Sequence, residues 1–585
     1  MLTSKHPVNF PGLGLGKSNP KPVQNGILLS VNVALYVFLI SNAFAAFYSP
    51  IQDCDEVFNY WEPAHYLNHG YGLQTWEYSP EYSIRSWFYI IIHAVIGKAV
   101  SFFTPRKTVE FYTIRFILAF ICTVCETRLY LVICQARSRV VGLLFLVIMA
   151  FSPGMFHASA AFLPSSFAMY SSMLGLAAFL DGNHITEGIM WFGIGAVLGW
   201  PFAAVLIVPF LVERAIVAIR TGHIQPTLNN IARGVIGCFI ILILEIVIDS
   251  FFFRKFVIIP WNLISYNIFG GKDRGPNIFG TEPWTFYIRN LFLNFNFWSM
   301  LAVSAAPLLI LQALLQPRAI KEKLPPSITL VSPFYTWLAI FMLQPHKEER
   351  FMYPAYPFLA VNAAIAFDVI LSCVGNPSGW NRHIPPRLRL FGVLGFVLFT
   401  VNIGLLRIFG IITAYNAPLN VYRTLDNPGM GEPGDSVCFG KEWYRFPSSF
   451  LLPDNIRAKF LKSEFRGLLP GEFADGPNIP TLLKGISTVP SGMNDRNQED
   501  RGKYVDIARC SFLVDSYFAD GSSSPLEPPY ILDESNWEKV SCHQFLDVSR
   551  TSTLGRIAWI PDISLIPERF RRKWGQYCLL KRRSS

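Results

Sequence analysis

Residues 26–47, GILLSVNVALYVFLISNAFAAF, form an apolar run that contains no charged residue. A run of this length is long enough to cross the hydrocarbon core of a bilayer as one helix. It is longer than the apolar region of a cleaved signal peptide and begins later in the chain. We therefore predict that this segment is a membrane anchor, and that its orientation sets the topology of the segments that follow.

The two flanks of this anchor differ in charge. Residues 1–25 contain three lysines and no acid, which by the positive-inside rule predicts a cytosolic basic tail. Residues 48–84 contain six acids and no lysine or arginine. We therefore predict a loop over residues 48–85 on the non-cytosolic side of the membrane.

The composition indicates a membrane protein throughout most of the chain. Of 585 residues, 51% are hydrophobic and only 15% are charged, whereas soluble domains carry about 25% charged residues. We predict that residues 26–414 form an all-α polytopic domain of roughly ten to twelve transmembrane helices of about 20 residues each. Further apolar runs lie near residues 86–103, 111–134, 140–156, 160–180, 188–213, 231–253, 286–316, 327–343, 351–373 and 388–413.

Residues 415–585 have a different character, with short mixed segments rich in Pro, Gly and Ser. We predict a small soluble α+β domain, with strands where apolar residues alternate at 510–514 and 556–560. A disulfide is expected if this domain faces an oxidising compartment, although the sequence leaves the pairing open. The candidate cysteines are Cys438, Cys510 and Cys542.

Charge distribution and motifs exclude several functional classes. The net charge is +10, but the basic residues lie in short connectors and at both termini, which argues against a nucleic-acid partner. The sequence has no GxxxxGK, GxSxG or HExxH pattern, so it gives no sign of an ATPase, a serine hydrolase or a zinc protease.

Two charged clusters at the ends of apolar runs are candidates for chemistry, because charges near a bilayer are costly unless they are paired or placed in a water-filled cavity. The first cluster is Asp53-Cys54-Asp55-Glu56, followed by Tyr60-Trp61-Glu62. On an α-helix, Asp55 and Glu62 would share one face, and Glu56 and Tyr60 another. One carboxylate would then point into a cavity while another is held by partners.

The second cluster, His346-Lys347-Glu348-Glu349-Arg350, lies between two apolar runs. Its two cations and its histidine suit a phosphate group. The alternative is an ordinary charged loop with internal ion pairs. Together the clusters predict transfer from a phosphate-bearing lipid, in which a carboxylate deprotonates an acceptor hydroxyl and cations stabilise the leaving phosphate. These features do not name the sugar.

Several segments of the chain resemble a known enzyme family, the endoplasmic-reticulum α-1,2-mannosyltransferases of N-glycan precursor assembly, in glycosyltransferase family twenty-two and the GT-C superfamily. The resemblance covers nearly the whole chain. Its segments are DCDEVFNYWEP (53–63), QTWEYSP (74–80), IRSW (84–87), FLPSSF (162–167), GWPF (199–202), FGTEPW (279–284), HKEERF (346–351) and GKEWYRFP (440–447).

This resemblance implies a GT-C fold and a multi-pass protein of the endoplasmic-reticulum membrane with its active site on the luminal side. The implied donor is dolichyl-phosphate mannose. The implied acceptors are dolichyl-diphosphate oligosaccharides, which receive the seventh and ninth mannose residues of the precursor. Because the donor is β-linked and the product α-linked, the resemblance implies an inverting reaction with a single carboxylate base. The C-terminal domain, 415–585, is then expected in the lumen.

The resemblance also implies roles for the acidic cluster. Family members show His-Pro-Asp-Glu where this chain has residues 53–56, so the shared pair is Asp55 and Glu56. Asp55 is our candidate base and Glu56 the second candidate. Asp53, which departs from the family pattern, is expected to orient the acceptor or a partner.

The resemblance places the donor phosphate at the second cluster, with Glu348 and Glu349 bracing its cations. Arg85 is expected either to pair with an acid of the loop or to bind phosphate. The donor-phosphate candidates are His346, Lys347, Arg350 and Arg85. The candidates for acceptor binding or support are Asp53, Tyr60, Glu62, Trp76, Glu77, Tyr78 and Glu282. No metal or cofactor is expected to be required, because cationic side chains can stabilise a monophosphate leaving group; the paired acids leave metal binding as an alternative.

Two alternative functions are considered. One is a relative that adds mannose to a glycosylphosphatidylinositol precursor from the same donor, and the CDEVFNYWEP run argues against it. The other is a lipid or solute transporter, which would explain the spans and the buried charges. Transporters typically contain inverted repeats, and we find no repeat between the two halves of this sequence.

Overall fold

The computed structural model describes residues 29–315, 324–375 and 385–583, apart from residues 183, 272–273, 428, 455 and 522. The predicted basic tail, residues 1–25, lies outside the described residues. Within them, eight helices are long and apolar enough to cross a membrane, and three shorter apolar helices accompany them. The prediction of an all-α polytopic membrane domain is therefore confirmed.

The eight long helical segments are Val31–Tyr48, Lys107–Ala136, Pro201–Thr221, Ile224–Phe253, Phe297–Leu315, Pro326–Leu343, Glu349–Val374 and Pro386–Tyr415. The three shorter ones are Trp87–Ser101, Arg139–Phe151 and Ile185–Gly199. Other helices cover Cys54–Glu56, Glu62–His69, Pro153–Ala158, Pro164–Leu180, Ile259–Phe269, Phe286–Phe295, Ala417–Asn420, Ile479–Ser487 and Thr553–Ile557.

One apolar run is divided where the sequence shows little sign of a break. The run 286–316 forms two helices, Phe286–Phe295 and Phe297–Leu315, that meet at Asn296. Asn296 has a φ of 44°, a left-handed conformation that asparagine tolerates better than most residues. Its side-chain amide donates a hydrogen bond to the Thr400 carbonyl (3.1 Å), so a neighbouring helix supports the break.

The C-terminal region contains a mixed five-stranded sheet, which confirms the predicted α+β class. The strands of the described residues are β1 (Leu73–Gln74), β2 (Ser436–Phe439), β3 (Arg457–Phe460), β4 (Gly471–Glu472), β5 (Phe512–Tyr517), β6 (Trp537–Leu546) and β7 (Trp574–Arg582). The sheet order is β3-β2-β5-β7-β6, with β2 parallel to both β3 and β5, and β7 antiparallel to β5 and β6.

Of the two strands predicted here, one is confirmed and one is wrong. The alternation at 510–514 leads into β5. The alternation at 556–560 begins in a short helix, Thr553–Ile557, whose N-cap Ser552 accepts a hydrogen bond from the Gly555 N–H. The extended residues that follow bind a membrane helix instead of a strand, since the Trp559 N–H donates to the Leu406 carbonyl at 2.8 Å.

Two disulfides hold this sheet together. Cys438 in β2 pairs with Cys510, which lies just before β5, and Cys542 in β6 pairs with Cys578 in β7. The predicted disulfide is therefore present, and the fourth cysteine is one that we did not single out from the sequence.

The C-terminal region packs directly on loop 48–85. Strand β1 of the loop pairs antiparallel with β4, and the Tyr66 hydroxyl lies 3.0 Å from the carbonyls of both Ala474 and Leu482. The loop and the C-terminal region therefore lie on the same side of the membrane domain and form one body.

Glu62 makes a buried polar connection between these two parts. Its carboxylate is fully buried and accepts hydrogen bonds from the Ser449 N–H (2.7 Å), the Ser449 hydroxyl (2.9 Å), the Ser448 hydroxyl (3.1 Å) and the Leu73 N–H (3.0 Å). Burial raises the pKa of Glu62, whereas these donors favour its charged form. A single carboxylate thus satisfies four donors from two regions of the chain.

We predict that Glu62→Ala destabilises the protein by about 3 kcal/mol or more, because it leaves buried donors without an acceptor. Thermal unfolding of the detergent-solubilised protein, followed by intrinsic fluorescence, measures this loss. Glu81→Ala is the matched control, since Glu81 is an exposed acid of the same loop. Equal melting temperatures for the two variants would show that the Glu62 connection contributes nothing to stability.

Candidate active site

The acidic cluster begins with a short helical turn that Asp53 caps. The Asp53 carboxylate accepts a hydrogen bond from the Asp55 N–H at 2.9 Å, at the start of the Cys54–Glu56 turn. The next five residues, Val57–Trp61, form a π-helical turn that closes with a hydrogen bond from the Glu62 N–H to the Val57 carbonyl. Turns of this kind are rare in proteins, and those that occur often lie at functional sites.

The π-helical turn changes which side chains share a face. Residues five apart now meet, so the Trp61 indole donates to the Glu56 carboxylate at 3.0 Å, while Asp55 and Tyr60 both line one cavity. The pairs expected from regular α-helix geometry, Asp55 with Glu62 and Glu56 with Tyr60, are therefore wrong.

A cavity of about 430 Å³ lies between the acidic cluster, the second charged cluster and the C-terminal region. Its volume is within the range of small-molecule sites. The predicted site residues that line it are Asp53, Asp55, Tyr60, Trp76, Glu77, Arg85, His346 and Arg350. The structure thus brings together most of the residues proposed from two segments almost 300 positions apart along the chain.

Arg350 is the central cation of this cavity. Its guanidinium contacts Asp53 at 2.8 Å, Asp55 at 2.5 Å and Glu348 at 2.5 Å, each through a different nitrogen. The Arg350 side chain is 13% exposed, whereas Asp55 is 40% exposed. Asp55 therefore presents its carboxylate to the cavity while Arg350 holds it from one side.

A second cation, Arg85, lines the same cavity, and its charge helps to lower the pKa of Asp55. It binds Glu77 with two nitrogens, at 2.9 and 3.0 Å, and donates to the Tyr60 hydroxyl at 2.8 Å. Both outcomes expected for Arg85 are thus compatible with its position, because it pairs with an acid of the loop and still lines the cavity.

Asp249, which we did not identify from the sequence, fixes the backbone next to Arg85. Its carboxylate accepts hydrogen bonds from the N–H groups of Trp87 (2.7 Å) and Phe88 (3.0 Å) and from the Ser86 hydroxyl (2.8 Å). An acid at a helix N-terminus is stabilised by the unpaired N–H groups there. A membrane helix, Ile224–Phe253, thereby fixes the backbone next to the Arg85 cation.

Asp53 and Asp55 have different proton affinities. Burial raises the pKa of Asp53 to about 8, and the neighbouring Asp55 carboxylate adds to this effect. Burial also opposes ionisation of Asp55, but Arg350 and Arg85 outweigh it, so that the pKa of Asp55 is lowered. At neutral pH the pair therefore holds one proton, on Asp53, and Asp55 is the ionised member.

His346 is held between two acceptors. One ring nitrogen lies 2.8 Å from the Gly280 carbonyl and the other lies 3.0 Å from the Glu348 carboxylate. Burial alone would lower the pKa of His346, but these two acceptors outweigh it and the pKa is raised. The arrangement suits an imidazolium ion, which donates through both nitrogens.

Lys347 of the second cluster, and Glu282, which contacts it, do not line the cavity. The Lys347 ammonium group donates to the Glu282 carbonyl (2.9 Å) and to the Gln344 carbonyl. The Lys347 side chain is buried, and Glu282 uses its backbone to bind both Lys347 and the Pro345 carbonyl. The Lys347 side chain and the Glu282 backbone thus stabilise the loop that carries His346.

Glu56 and Tyr78 are likewise directed into the protein. The buried Glu56 carboxylate accepts from the Phe162 N–H (3.0 Å) as well as from Trp61, and burial raises its pKa. The buried Tyr78 hydroxyl donates to the Asn59 carbonyl at 2.5 Å. With Glu62, these residues hold the loop in shape rather than line the cavity.

The structure adds cavity residues for which we had proposed no role. Many of them come from the segments that carried the family resemblance, so the sequence marked these segments without showing which of their residues face the cavity. They include Leu163, Pro164 and Ser165 from FLPSSF, Trp200 from GWPF and Trp443 from GKEWYRFP, together with Tyr266, Asn267, Phe465 and Asn497.

One group among the described residues has donor atoms close enough for a metal ion. The donor atoms of Asp53, Cys54 and Asp55 lie within 4.8 Å of one another. Arg350 already binds both carboxylates, and burial raises the pKa of the Cys54 thiol. A divalent cation would therefore have to compete with the guanidinium.

Comparison with known proteins identifies the family. Residues 33–453 match the Alg9-like mannosyltransferase family. The chain is 39% identical to alpha-1,2-mannosyltransferase alg9 of Schizosaccharomyces pombe, over 92% of each chain. It is 37% identical to alpha-1,2-mannosyltransferase ALG9 of Homo sapiens, over 91% of this chain and 86% of that one.

A solved structure confirms the expected fold. ArnT from Cupriavidus metallidurans, bound to undecaprenyl phosphate, superposes with a TM-score of 0.50 at 13% identity, over 83% of this chain and 92% of that one. This similarity supports the GT-C fold. The family match spans most of the chain and includes both charged clusters of the cavity; the chain therefore belongs to the Alg9-like mannosyltransferase family and is a multi-pass membrane glycosyltransferase.

Proposed function

We propose that this protein transfers mannose from dolichyl-phosphate mannose, in α-1,2 linkage, onto a dolichyl-diphosphate-linked oligosaccharide of N-glycan precursor assembly. The observation that carries the proposal is the contact between Asp55 and Arg350 inside the cavity. It places an ionised, partly exposed carboxylate beside a fixed cation, the two groups that transfer from a lipid phosphate requires. The names of the relatives support the sugar and the linkage.

In the proposed reaction Asp55 is the general base. Its carboxylate accepts the proton of the acceptor hydroxyl while the hydroxyl oxygen attacks C1 of mannose. The bond between C1 and the phosphate oxygen breaks on the opposite face, and dolichyl phosphate leaves with the electron pair. One displacement inverts the β-linked donor to an α-linked product. Glu56, the second candidate, is a poorer choice because its carboxylate is turned to the interior.

We assign the donor phosphate to Arg350, Arg85 and His346, and no longer to Lys347. An arginine carries five N–H donors, and the ion pairs of Arg350 occupy one on each nitrogen. The remaining donors would bind phosphate oxygens as negative charge develops on the leaving group. A proton on Asp53 assists, because it neutralises a carboxylate that would otherwise repel the phosphate.

Side-chain cations and a protonated aspartate supply this charge stabilisation, so the proposal requires no metal or cofactor. The acceptor-binding role is assigned to Trp76, Tyr60 and Glu77, which line the same cavity. The ring centroid of Trp76 lies 5.1 Å from that of Tyr82 and 5.2 Å from that of Tyr266, so these contacts hold the ring in place, and a fixed aromatic ring in a cavity lining suits a sugar.

We infer that the cavity lies on the luminal side of the endoplasmic-reticulum membrane. The acidic loop follows the first span, and the region packed against it holds two disulfides, which form in oxidising compartments. The glycosylphosphatidylinositol alternative is less well supported. GPI mannosyltransferase 3 of Candida albicans is 27% identical over 56% of this chain, compared with 37–39% over about nine-tenths for the α-1,2-mannosyltransferases.

We predict that Asp55→Asn lowers kcat by about 10²- to 10⁴-fold, the usual contribution of a general base. Transfer of radiolabelled mannose from dolichyl-phosphate mannose to a defined dolichyl-diphosphate oligosaccharide measures the rate. Glu56→Gln is the neighbouring control and is expected to keep most of the activity, because the amide oxygen still accepts from Trp61 and Phe162.

A reversal of these two results would transfer the role of base from Asp55 to Glu56. Failure of the wild-type protein to transfer mannose to any such acceptor would contradict the proposed function itself.

We also predict that kcat/KM for the donor falls as the pH rises above the pKa of Asp53. Because the pKa of Asp53 is raised from 3.8 to about 8, Asp53 keeps its proton at neutral pH and loses it as the pH rises through that value. If the protonated form is the active one, activity falls about tenfold per pH unit above it. The pKa of Asp55 is lowered, so acid inhibition begins only below the usual range of an aspartate.

Asp53→Asn tests this assignment, since asparagine stays uncharged and still caps the helical turn. Its pH profile should lack the alkaline decline. A decline that persists unchanged in Asp53→Asn would mean that another group causes it.

A further inference from the structure

Of the segment 440–447, GKEWYRFP, one residue lines the catalytic cavity and others line a second one. Trp443 lines that cavity, but Lys441 to Arg445 also line a second cavity of about 620 Å³ in the C-terminal region. Trp443 and Phe465 contribute to both linings, and their ring centroids are 4.4 Å apart. The two cavities are therefore neighbours that share a wall of two aromatic side chains.

The second cavity presents a braced aromatic surface. The Tyr444 side chain is 43% exposed, which is unusual for a ring that contributes to a fixed cluster. The Arg445 guanidinium lies 4.6 Å from the centroid of the Tyr444 ring and 4.6 Å from that of Phe545. Cation–π contacts of this kind hold a ring in place. Tyr517 and Phe518 contribute further aromatic surface to the same lining.

Both cations of this lining contact buried acids. Lys441 contacts the buried Asp515 at 3.0 Å, and Arg445 contacts the buried Glu442 at 2.7 Å. Glu442 also accepts from the Ser516 hydroxyl at 2.5 Å. Each cation of the lining thus has a buried acid as its partner, and the lining itself holds two cations, Lys441 and Arg445, and two acids, Glu442 and Glu527. A lining without excess charge suits a neutral ligand.

The remaining polar groups suit hydroxyl-bearing ligands. Ser463 and Ser523 bring hydroxyl groups to the lining, and Glu527 brings a carboxylate. Aromatic faces combined with hydroxyl and carboxylate groups match the two surfaces of a sugar, the apolar face of the ring and its hydroxyl edge. The chemistry of the cavity therefore indicates a neutral carbohydrate.

We propose that the second cavity binds sugars of the acceptor glycan that lie several residues away from the reacting hydroxyl. The proposal rests on the proposed function, because it takes the acceptor to be an oligosaccharide. The reacting end of the glycan occupies the catalytic cavity, and a further part passes over Trp443 and Phe465 onto Tyr444. The C-terminal region thereby selects acceptors by the extent of their glycan.

The test compares two acceptors that have the same reacting terminus. One is a dolichyl-diphosphate oligosaccharide with the complete branched glycan, and the other is a synthetic analogue with the reacting branch only. For Tyr444→Ala we expect about a tenfold higher KM for the complete acceptor, which corresponds to the loss of one good aromatic contact. We expect unchanged kcat, unchanged donor KM and unchanged KM for the short analogue.

Two variants serve as controls. Tyr444→Phe keeps the ring and should restore most of the affinity. Phe570→Ala removes a ring of the same region that also lies under an arginine, with Arg569 at 4.7 Å, but lies outside both cavity linings. Phe570→Ala should leave the KM for both acceptors unchanged.

Ser523→Trp provides a second test in case Tyr444→Ala does not fold. Ser523 lies at the exposed rim of the second cavity. A tryptophan there should fill the cavity and raise the KM for the complete acceptor as Tyr444→Ala does.

The proposal is overturned if Tyr444→Ala and Ser523→Trp leave the KM of the complete acceptor unchanged, or if they raise the KM of both acceptors equally. In either case wild-type transfer to the short analogue would still stand, so the proposed function would survive. Loss of transfer by the wild-type protein with both acceptors would instead contradict the proposed function.

Discussion

The site depends on one cation, Arg350, which binds three carboxylates. Asp53, Asp55 and Glu348 surround its guanidinium at 2.5 to 2.8 Å, and without this cation, burial would favour the protonated form of Asp55 as well as that of Asp53. Arg350 favours the ionised form of Asp55 in this cavity. Arg350 also joins two parts of the chain, the loop that follows the first membrane span and the segment that follows the helix Pro326–Leu343. The two charged segments of the sequence therefore line one cavity.

The rest of the molecule keeps these charges in place. Glu62 fastens the acidic loop to the C-terminal region, β1 pairs with β4, and Asp249 on a membrane helix caps the backbone beside Arg85. Each of these contacts satisfies buried polar groups that would be costly to leave unpaired. The same contacts make the C-terminal region part of the cavity wall, where it is positioned to contact a substrate.

Much of this architecture was predictable from the sequence. The excess of apolar residues, the anchor at 26–47 and the reversal of charge across it predicted a multi-pass protein with an acidic loop, since a bilayer imposes simple rules on length and charge. The clusters at 53–56 and 346–350 were predictable as a candidate site, because charges next to a membrane are costly unless they are paired or placed in a water-filled cavity. The motif segments identified the family, and Asp55, Arg350, Arg85 and His346 do line one cavity.

The sequence by itself determined the class of the protein, the location of its charged clusters and its family. Only the tertiary structure decided which members of those clusters face the cavity. The π-helical turn at Val57–Trp61 directs Glu56 inward, and Lys347 turns to backbone carbonyls while Arg350 turns to the acids. Trp443, which lines the same cavity, lies 390 residues after Asp53 in the chain. The physical reason is that composition and spacing report short-range preferences, whereas the orientation of a buried polar side chain is set by whichever partner the distant chain brings within hydrogen-bonding distance.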